Sequence, residues 1–365
     1  MTARKQRARL RESVRDYTGG LKAREVPGLI GREARQAYMV LIRERADEPE
    51  PTSFFKRFWY RIRTLFFALS YKLSPTRRVL FAVCLILALL SLIPPEAGAY
   101  AFPPTAVYGF IGMVILLGLE LADRILIRDE LEVARELQHE LLPTQAPDLE
   151  GYEFAFSYRA ANTIGGDFYD FLELPDGRLL LVIGDASGHG MAAGLLMAIA
   201  NATLKLASDL ESSPVAIATL VNRALFQTGG RRAFMTLFLG LLSPDDGRFE
   251  YACAGHPYPL VRRADGEIRE LGSSSLPLGL RHDLELTSQV VTLEPGDLLL
   301  LYTDGIPEAV GAEGEAFGFE RLKEIMGEGG DPDAVHDRIL DDLARFEGDV
   351  SPPDDRSLVL IARQA

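Results

Sequence analysis

The chain has 365 residues, of which 47% are hydrophobic and 25% are charged, a balance typical of globular rather than disordered proteins. This length exceeds that of one average domain and favours two or three structural units. The chain has two cysteines, Cys84 and Cys253, which excludes a disulfide framework and a cysteine-rich zinc module.

The net charge of −13 is divided unevenly along the chain. Residues 1–78 contain 19 of the 39 Lys and Arg but 8 of the 52 Asp and Glu, which leaves 20 against 44 for the other residues. The basic part could contact an anionic membrane surface. No nucleic-acid-binding motif accompanies its charge, so we expect no nucleic acid partner. The acidic part is suited to divalent cations, because these bind oxygen ligands.

Residues 1–52 are basic and lack the apolar segment of a signal peptide, which predicts a cytoplasmic N-terminal region. Residues 53–73 then place aromatic and aliphatic side chains at helical spacing, with basic residues between them. This pattern predicts an amphipathic helix that lies in a membrane interface. The alternative is a helix packed into the core of a small N-terminal domain.

Residues 76–119 contain two apolar runs, at 79–93 and 105–119, separated by a proline-rich segment. Each run has 15 residues, against about 20 for a full membrane span, and flanking arginines and tyrosines can extend it into the interface. We predict a transmembrane hairpin, and the basic residues on both outer flanks predict that both termini are cytoplasmic. A buried helical hairpin in a soluble domain is the alternative.

Residues 120–143 predict a connector helix, because they contain no Gly and have Pro only at the last position. Five positions follow an alternating spacing of four and three residues, which indicates a homodimer seam. These are Ile127, Leu131, Ala134, Gln138 and Leu141. Packing of this helix on the following domain is the alternative, and the two are compatible.

Residues 150–365 contain short β-rich runs, turn signals and four helical stretches. Strands in runs and helices in pairs predict an α+β domain with antiparallel sheets. The predicted strands are 152–160, 178–184, 233–242, 248–254, 297–303 and 356–362. The predicted helices are 191–207, 214–227, 319–326 and 333–346.

Acidic residues stand at the edges of several predicted strands. Asp167 lies in GGD, Asp185 in GDASGHG and Asp304 in TDG, while Asp354 and Asp355 precede the last strand. Carboxylates gathered at one rim of a sandwich repel one another, and a pair of divalent cations would relieve that repulsion. Each motif alone is also ordinary turn or helix-cap chemistry, so the hypothesis of a metal site depends on the whole set.

Five segments in this order, GGDFYD, GDASGHG, AGHPYPL, LYTDGIPEA and DDRSLVL, resemble the motifs of a bacterial family. This family comprises the metal-dependent protein phosphatases of the RsbU/SpoIIE type, within the PP2C-like (PPM) superfamily. The similarity covers roughly residues 130–363. It implies a PP2C-like β-sandwich of antiparallel sheets flanked by helices, with two Mn²⁺ or Mg²⁺ ions in one site.

The resemblance also implies the ligands of these ions, which are Asp167, Asp185, the backbone carbonyl of Ala186, Asp304 and Asp354. Asp185 would bridge both ions, and Asp355 is the alternative to Asp354. A water between two cations about 3.5–4 Å apart becomes hydroxide near neutral pH and attacks phosphorus in line. Asp185 and Asp304 are therefore the predicted catalytic residues.

Two neighbouring side chains carry weaker predictions. His189 could act as a general acid, although ordering of the glycine-rich loop is the alternative role. Ser187 could suggest a serine hydrolase, but the motif G-x-S-x-G is absent around it. We expect His256, in AGHPYP, to be structural.

The resemblance implies a phosphoserine and phosphothreonine protein phosphatase. The predicted hairpin and its basic flanks place this enzyme in the bacterial cytoplasmic membrane, with its catalytic domain in the cytoplasm. The implied substrate is a phosphorylated STAS-domain anti-sigma-factor antagonist in a partner-switching pathway. A catalytically silent binding or sensor module is the alternative. The presence of all the predicted carboxylates argues against it. Hydrolysis of small phosphoesters is a third hypothesis.

Overall fold

The computed structural model describes residues 73–91, 104–228, 233–272, 275–348 and 352–364, together with part of the stretch from 53 to 71. The chain divides into two units, Met1–Ile125 and Leu126–Ala365. The predicted N-terminal region at 1–52 and the proline-rich turn between the two apolar runs lie outside the described residues.

The first unit contains helix α1, Pro75–Leu90, and the beginning of helix α2, Pro104–Leu141. The two helices approach closely, because a Cβ at Gly112 of α2 would overlap the sulfur of Cys84 in α1. Arg77 of α1 forms ion pairs with Glu120 and Asp123 of α2. Small residues at the contact and ion pairs beside it thus join α1 and α2.

Many large apolar side chains of α1 and of the first half of α2 are exposed, including Phe110 at 70% and Ile115 at 52%. Among the described residues, one helix is long and apolar enough by itself to cross a membrane, α3, Met191–Leu210. Its buried face belongs to the core of the second unit. The predicted hairpin at 76–119 therefore stays a prediction. The interfacial helix at 53–73 is described in part, and those residues are mostly helical.

The second unit is built on two five-stranded sheets in which each strand pair is antiparallel. The first sheet has the order β1-β10-β9-β6-β7 and the second has the order β2-β3-β4-β5-β8. The strands are β1 Tyr152–Arg159, β2 Asp167–Glu173, β3 Leu179–Ala186, β4 Met235–Leu242, β5 Arg248–Ala254, β6 Leu260–Arg262, β7 Ile268–Glu270, β8 Gln289–Thr292, β9 Leu298–Tyr302 and β10 Arg356–Arg363.

Helices cover the outer face of each sheet. The other helices of this unit are α4 Pro214–Thr228, α5 Phe319–Gly327 and α6 Pro332–Glu347. Helices α3 and α4 pack on the second sheet, and α5 and α6 pack on the first. Strand β3 shows why both faces are buried, since Leu180 and Val182 face the helices while Leu181 and Ile183 face the other sheet. This arrangement confirms the predicted α+β fold of antiparallel sheets flanked by helices.

Strands β2, β6, β7 and β8 were not among the predicted strands. Strands β6 and β7 have three residues each, which is too short for a periodic pattern. Strand β2 begins inside the GGD segment, whose glycines indicate a turn. In the middle of β2, Asp170 is buried, and its Oδ2 lies 3.2 Å from Lys205 Nζ. A buried carboxylate inside a strand interrupts the apolar pattern by which strands are predicted.

The C-terminal end of α2 belongs to the second unit and packs on its core. Gln138 is 7% exposed, and Leu141 contacts the core beneath α3. These two positions of the predicted seam are thus occupied by the domain itself, as the alternative in the sequence analysis proposed. Leu126, Val133 and Leu137, which are not seam positions, are each more than half exposed, as is Ile127 of the predicted seam.

Candidate active site

The ends of β2 and β3 bring two of the predicted carboxylates together. Asp167 and Asp185 are Cα partners across this antiparallel pair. Burial raises the pKa of Asp167 well above its usual range, and repulsion from Asp185 adds to this effect. Burial also raises the pKa of Asp185, to about 7. The repulsion between these neighbouring carboxylates would be relieved by a bound cation.

Two hydroxyl groups from the other sheet orient Asp167. Thr303 Oγ1 donates to Asp167 Oδ2 at 2.6 Å, and Ser357 Oγ donates to the same oxygen at 3.1 Å. Thr303 Oγ1 also accepts from the backbone N–H of Ser357 at 2.9 Å. All three residues are buried, so both sheets determine the orientation of this carboxylate. Thr303 and Ser357 were not among the predicted site residues, although Thr303 precedes Asp304 directly and Ser357 follows Asp354 by three positions.

Asp304 and Asp354 bring further negative charge to the same rim. Asp304 follows β9, where burial raises its pKa to about 6 and repulsion from Asp354 adds to the shift. After burial, the largest influences that raise the pKa of Asp185 are repulsion from Asp304 and from Asp354. The charged groups that most affect Asp185 are thus carboxylates, and this concentration of like charge calls for a cation.

The adjacent Asp354 and Asp355 have different environments. Asp355 is buried, and its two oxygens accept from the backbone N–H groups of Ala161 at 2.7 Å and Gly166 at 2.6 Å. Asp354 is exposed, and its Oδ1 accepts from the backbone N–H of Asp355 at 2.9 Å. Asp355 therefore organises the loop that leads to Asp167, whereas Asp354 keeps oxygen lone pairs for another partner.

Gly166 lets the backbone carbonyl of Ala186 approach the carboxylates. A Cβ at Gly166 would lie 2.7 Å from Ala186 O and 3.3 Å from Asp185 Oδ1. The Ala186 N–H donates to Gly166 O at 3.2 Å, which ties the GGD loop to the end of β3. A glycine is required here because any side chain would occupy the space beside these oxygens.

Within the described part of the chain, no three His, Cys, Asp or Glu side chains are already gathered into a metal centre. The donor chemistry nevertheless fits a divalent cation such as Mn²⁺ or Mg²⁺. The donors are carboxylate and carbonyl oxygens, which these cations prefer. Burial and repulsion between carboxylates are the largest causes of the raised pKa values of Asp185 and Asp304, and a bound cation would offset both.

Ser187, His189 and His256 surround the end of β3 and differ in how they are held. Ser187 Oγ accepts from the backbone N–H of Phe234 at 2.9 Å, which gives this hydroxyl a structural role. His189 is exposed in the glycine-rich loop. His256 is buried, its Nδ1 lies 2.9 Å from Thr236 Oγ1, and burial lowers its pKa to about 3, so its imidazole stays neutral.

A buried ion pair supports the loop of Asp304. Arg356 pairs with Glu347 through both of its terminal nitrogens, and its Nε donates to Gly305 O at 3.1 Å. Both charged side chains are 6% exposed. A Cβ on Gly305 would overlap the backbone carbonyl of Asp355, so the two loops are in contact beside the acidic rim. The sequence pattern did not reveal the role of Arg356, because a charged residue that follows two aspartates is typical of an exposed loop.

The comparisons with known proteins agree with this geometry. The family model of stage II sporulation protein E (SpoIIE) matches residues 175–364, slightly more than half of the chain. RsbU of Bacillus subtilis (strain 168), named a phosphoserine phosphatase, is 28% identical over 183 residues, which are 50% of this chain and 54% of that protein.

Two solved structures resemble the second unit. The SiaA-PP2C domain of Pseudomonas aeruginosa has a TM-score of 0.60 and 23% identity, and the match covers 67% of this chain and 99% of that domain. The structure of the RsbU and RsbW domains of Rv1364c from Mycobacterium tuberculosis has a TM-score of 0.52 and 30% identity, and the match covers 62% of this chain and 63% of that one.

The chain matches 36% to 57% of the length of the first curated relatives. The family match lies within the second unit and includes Asp185, Asp304 and Asp354, and the sheets that carry them have the architecture of the solved PP2C domain. The chain therefore belongs to the SpoIIE family, and its second unit has a PP2C-like fold.

Proposed function

We propose that this protein is a metal-dependent serine/threonine protein phosphatase. The observation that carries the proposal is the concentration of carboxylates at one rim, where Asp185 and Asp304 have raised pKa values and repel one another. A rim of this kind binds divalent cations, and membership of the SpoIIE family together with similarity to a phosphoserine phosphatase supports phosphoryl chemistry there.

In this proposal, Asp167, Asp185, the backbone carbonyl of Ala186, Asp304 and Asp354 would hold two divalent cations, with Asp185 shared by both. The environments of the adjacent aspartates support Asp354 rather than Asp355, since the oxygens of Asp355 already accept two backbone N–H groups. When bound, the ions would supply Lewis acidity and lower the pKa of a coordinated water.

The protein contributes orientation and charge to this reaction. Thr303 and Ser357 both donate to one oxygen of Asp167, which fixes the orientation of this carboxylate. The hydroxyl of Ser187 is engaged with the backbone of Phe234, which disfavours a covalent serine intermediate. His189 is exposed in the glycine-rich loop, and its role as proton donor to the leaving alkoxide stays a prediction.

The proposed substrate is a phosphoserine or phosphothreonine on a small regulatory protein, specifically a phosphorylated STAS-domain antagonist of an anti-sigma factor. Two of the similar proteins support this class, since one is named a phosphoserine phosphatase and the other joins RsbU and RsbW domains in one structure. Dephosphorylation would then operate a partner-switching pathway.

We further propose that α1 and the first half of α2 anchor the protein in the bacterial cytoplasmic membrane as a hairpin, with the phosphatase domain in the cytoplasm. The exposed apolar side chains of these helices, such as Phe110 and Ile115, support this. The pairing of Arg77 with Asp123 supports a polar boundary at one end of the hairpin. The exposed stripe of Leu126, Val133 and Leu137 supports a homodimer through the connector.

The direct test measures phosphate release by the full chain in detergent. We expect release from a phosphorylated STAS-domain protein with Mn²⁺ or Mg²⁺ present and none after chelation. Faster turnover of p-nitrophenyl phosphate than of the phosphoprotein would favour small phosphoesters instead. Binding of the phosphoprotein without any turnover would favour a silent binding module.

A further inference from the structure

The connector helix contacts the backbone of the GGD loop directly. Gln138, in the last turn of α2, donates from Nε2 to Gly165 O at 2.6 Å and accepts at Oε1 from Gly165 N at 3.1 Å. The Gln138 side chain thus pairs with both polar groups of one residue. A primary amide is required for this, because it carries a donor and an acceptor side by side.

This pairing is buried, which makes it costly to break. Gln138 is 7% exposed, and Gly165 is buried beneath it. A buried donor or acceptor that loses its partner costs about 1–3 kcal/mol. Any movement of α2 that withdraws Gln138 therefore leaves the N–H and the carbonyl of Gly165 unsatisfied, unless the loop moves as well.

Gly165 has little freedom to move independently. A Cβ at this position would overlap the hydroxyl of Tyr158 and lie 2.6 Å from Asp355 Oδ2. The next residue, Gly166, donates its N–H to the same oxygen of Asp355. The loop is held between the connector helix on one side and the segment before β10 on the other.

The loop leads directly to the acidic rim. Gly166 lies beside Ala186 O and Asp185 Oδ1, and Asp167 follows it as the first residue of β2. From these contacts we infer that Gln138 is a positioning residue, which places the GGD loop so that Asp167 and Ala186 present their oxygens to a divalent cation. This inference rests on the proposed function.

A purely structural role for Gln138 predicts a different result. If the amide only attached α2 to the domain, its loss would lower stability and leave the intrinsic affinity of the folded protein for a cation unchanged. If it positions the loop, its loss would weaken cation binding in protein that is still folded. Loss of a group that orients a metal ligand typically lowers metal affinity about 10- to 100-fold.

The experiment uses the full chain in detergent with Mn²⁺ alone as the probe, measured by isothermal titration. Gln138→Met keeps the side-chain length and removes both hydrogen bonds, and Gln138→Glu keeps the acceptor and removes the donor. Gln145→Met makes the same chemical change at an exposed position of the following segment. Amide hydrogen exchange of residues 165–167 in the metal-free protein is the second readout.

We expect weaker Mn²⁺ binding, by about 10- to 100-fold, and faster exchange at 165–167 in both Gln138 variants, with Gln145→Met unchanged. Wild-type Mn²⁺ affinity and exchange in a folded Gln138 variant would overturn the inference and leave the proposed function intact. If Gln138→Met does not fold, the result for Gln138→Glu decides. Absence of Mn²⁺ binding by the wild-type protein would instead refute the proposed function.

Discussion

The hydroxyl of Thr303 donates to Asp167 Oδ2 at 2.6 Å, and this bond joins the two sheets at the rim where the acidic residues meet. Thr303 follows β9 of the first sheet, while Asp167 begins β2 of the second. The hydrogen bond lowers the pKa of Asp167 against the larger effect of burial. The contact between the sheets thus also keeps this carboxylate available as a ligand.

We expect Thr303→Val, which preserves the shape of the side chain, to weaken Mn²⁺ binding about 10- to 100-fold. Without this donor, Asp167 retains its proton more strongly and its orientation depends on Ser357 alone. Titration calorimetry with Mn²⁺ at pH 7.5 measures the change. Thr292→Val, at an exposed position of β8, is the matched control. Equal affinity in the wild type and in Thr303→Val would show that the bond is purely structural.

Asp185→Asn should abolish metal-dependent phosphatase activity and leave the fold intact. The amide removes one buried negative charge, so the metal-free variant should be at least as stable as the wild type. A ligand present at 100 times its Kd stabilises the folded protein by about 2.7 kcal/mol. Mn²⁺ should stabilise the wild type in this way but should not stabilise Asp185→Asn. Thermal unfolding with and without Mn²⁺ measures both effects, and Asp283→Asn, at an exposed loop position, serves as control. Turnover retained by Asp185→Asn would refute the bridging role.

The stability of the metal-free protein should depend on pH through Asp185. Its pKa is about 7 in the folded protein against 3.8 as an unperturbed carboxyl, so the folded state binds more protons between these values. The free energy of unfolding should therefore rise as pH falls from 7 toward 4, by about 1 kcal/mol per pH unit for one such group.

Urea unfolding of the wild type and of Asp185→Asn across this pH range tests the prediction. His256 has the opposite effect on the free energy of unfolding, because burial lowers its pKa from 6.5 to about 3. Between these two pH values its imidazole is neutral in the folded protein and takes up a proton on unfolding. Subtracting the free energy of unfolding of Asp185→Asn from that of the wild type removes the contribution of His256, which both proteins share. Saturating Mn²⁺ should reverse the trend, because metal binding needs the deprotonated carboxylate. Parallel curves for both metal-free proteins would contradict the assignment.

Asp354→Asn and Asp355→Asn should have separable effects. Asp354 is exposed, so its substitution should weaken Mn²⁺ binding with little change in the free energy of unfolding. The two carboxylate oxygens of Asp355 accept from two backbone N–H groups. In Asp355→Asn one of these oxygens is replaced by an NH₂ group, which cannot accept. One buried backbone N–H then loses its partner, and this should lower the free energy of unfolding by about 1–3 kcal/mol. Chemical unfolding and Mn²⁺ titration of both variants distinguish them. If only Asp355→Asn impaired Mn²⁺ binding, the ligand assignment would move to Asp355.

Lysine substitutions test the membrane hairpin. Ile111→Lys combined with Ile115→Lys should shift the full chain from the membrane fraction toward the soluble fraction, because each lysine costs about 2.5–3.5 kcal/mol at the centre of a membrane helix. Both isoleucines are exposed on α2. Val290→Lys, at an exposed position of β8, is the control. An unchanged distribution of the double variant after carbonate extraction would contradict a membrane span at these residues.

Local patterns in the sequence predicted much of the fold. Alternating and continuous apolar runs marked the longer strands, such as β3 and β10, because burial on two faces demands a long row of aliphatic residues. Glycine beside aspartate marked the loops at the rim, since close backbone approach needs a residue without a side chain. The order of these motifs also predicted the family to which the chain belongs.

Contacts between distant segments were decided by the tertiary structure. The sequence alone could not distinguish Asp354 from Asp355, because both precede the same strand and only the folded chain brings Ala161 and Gly166 to one of them. The pairing of Gln138 with Gly165 was likewise invisible, since a glutamine at helical spacing also suits a dimer seam. Hydrogen bonds need both partners within about 3 Å, and residues 27 to 194 positions apart meet at such distances only when the two sheets and the connector helix have packed together.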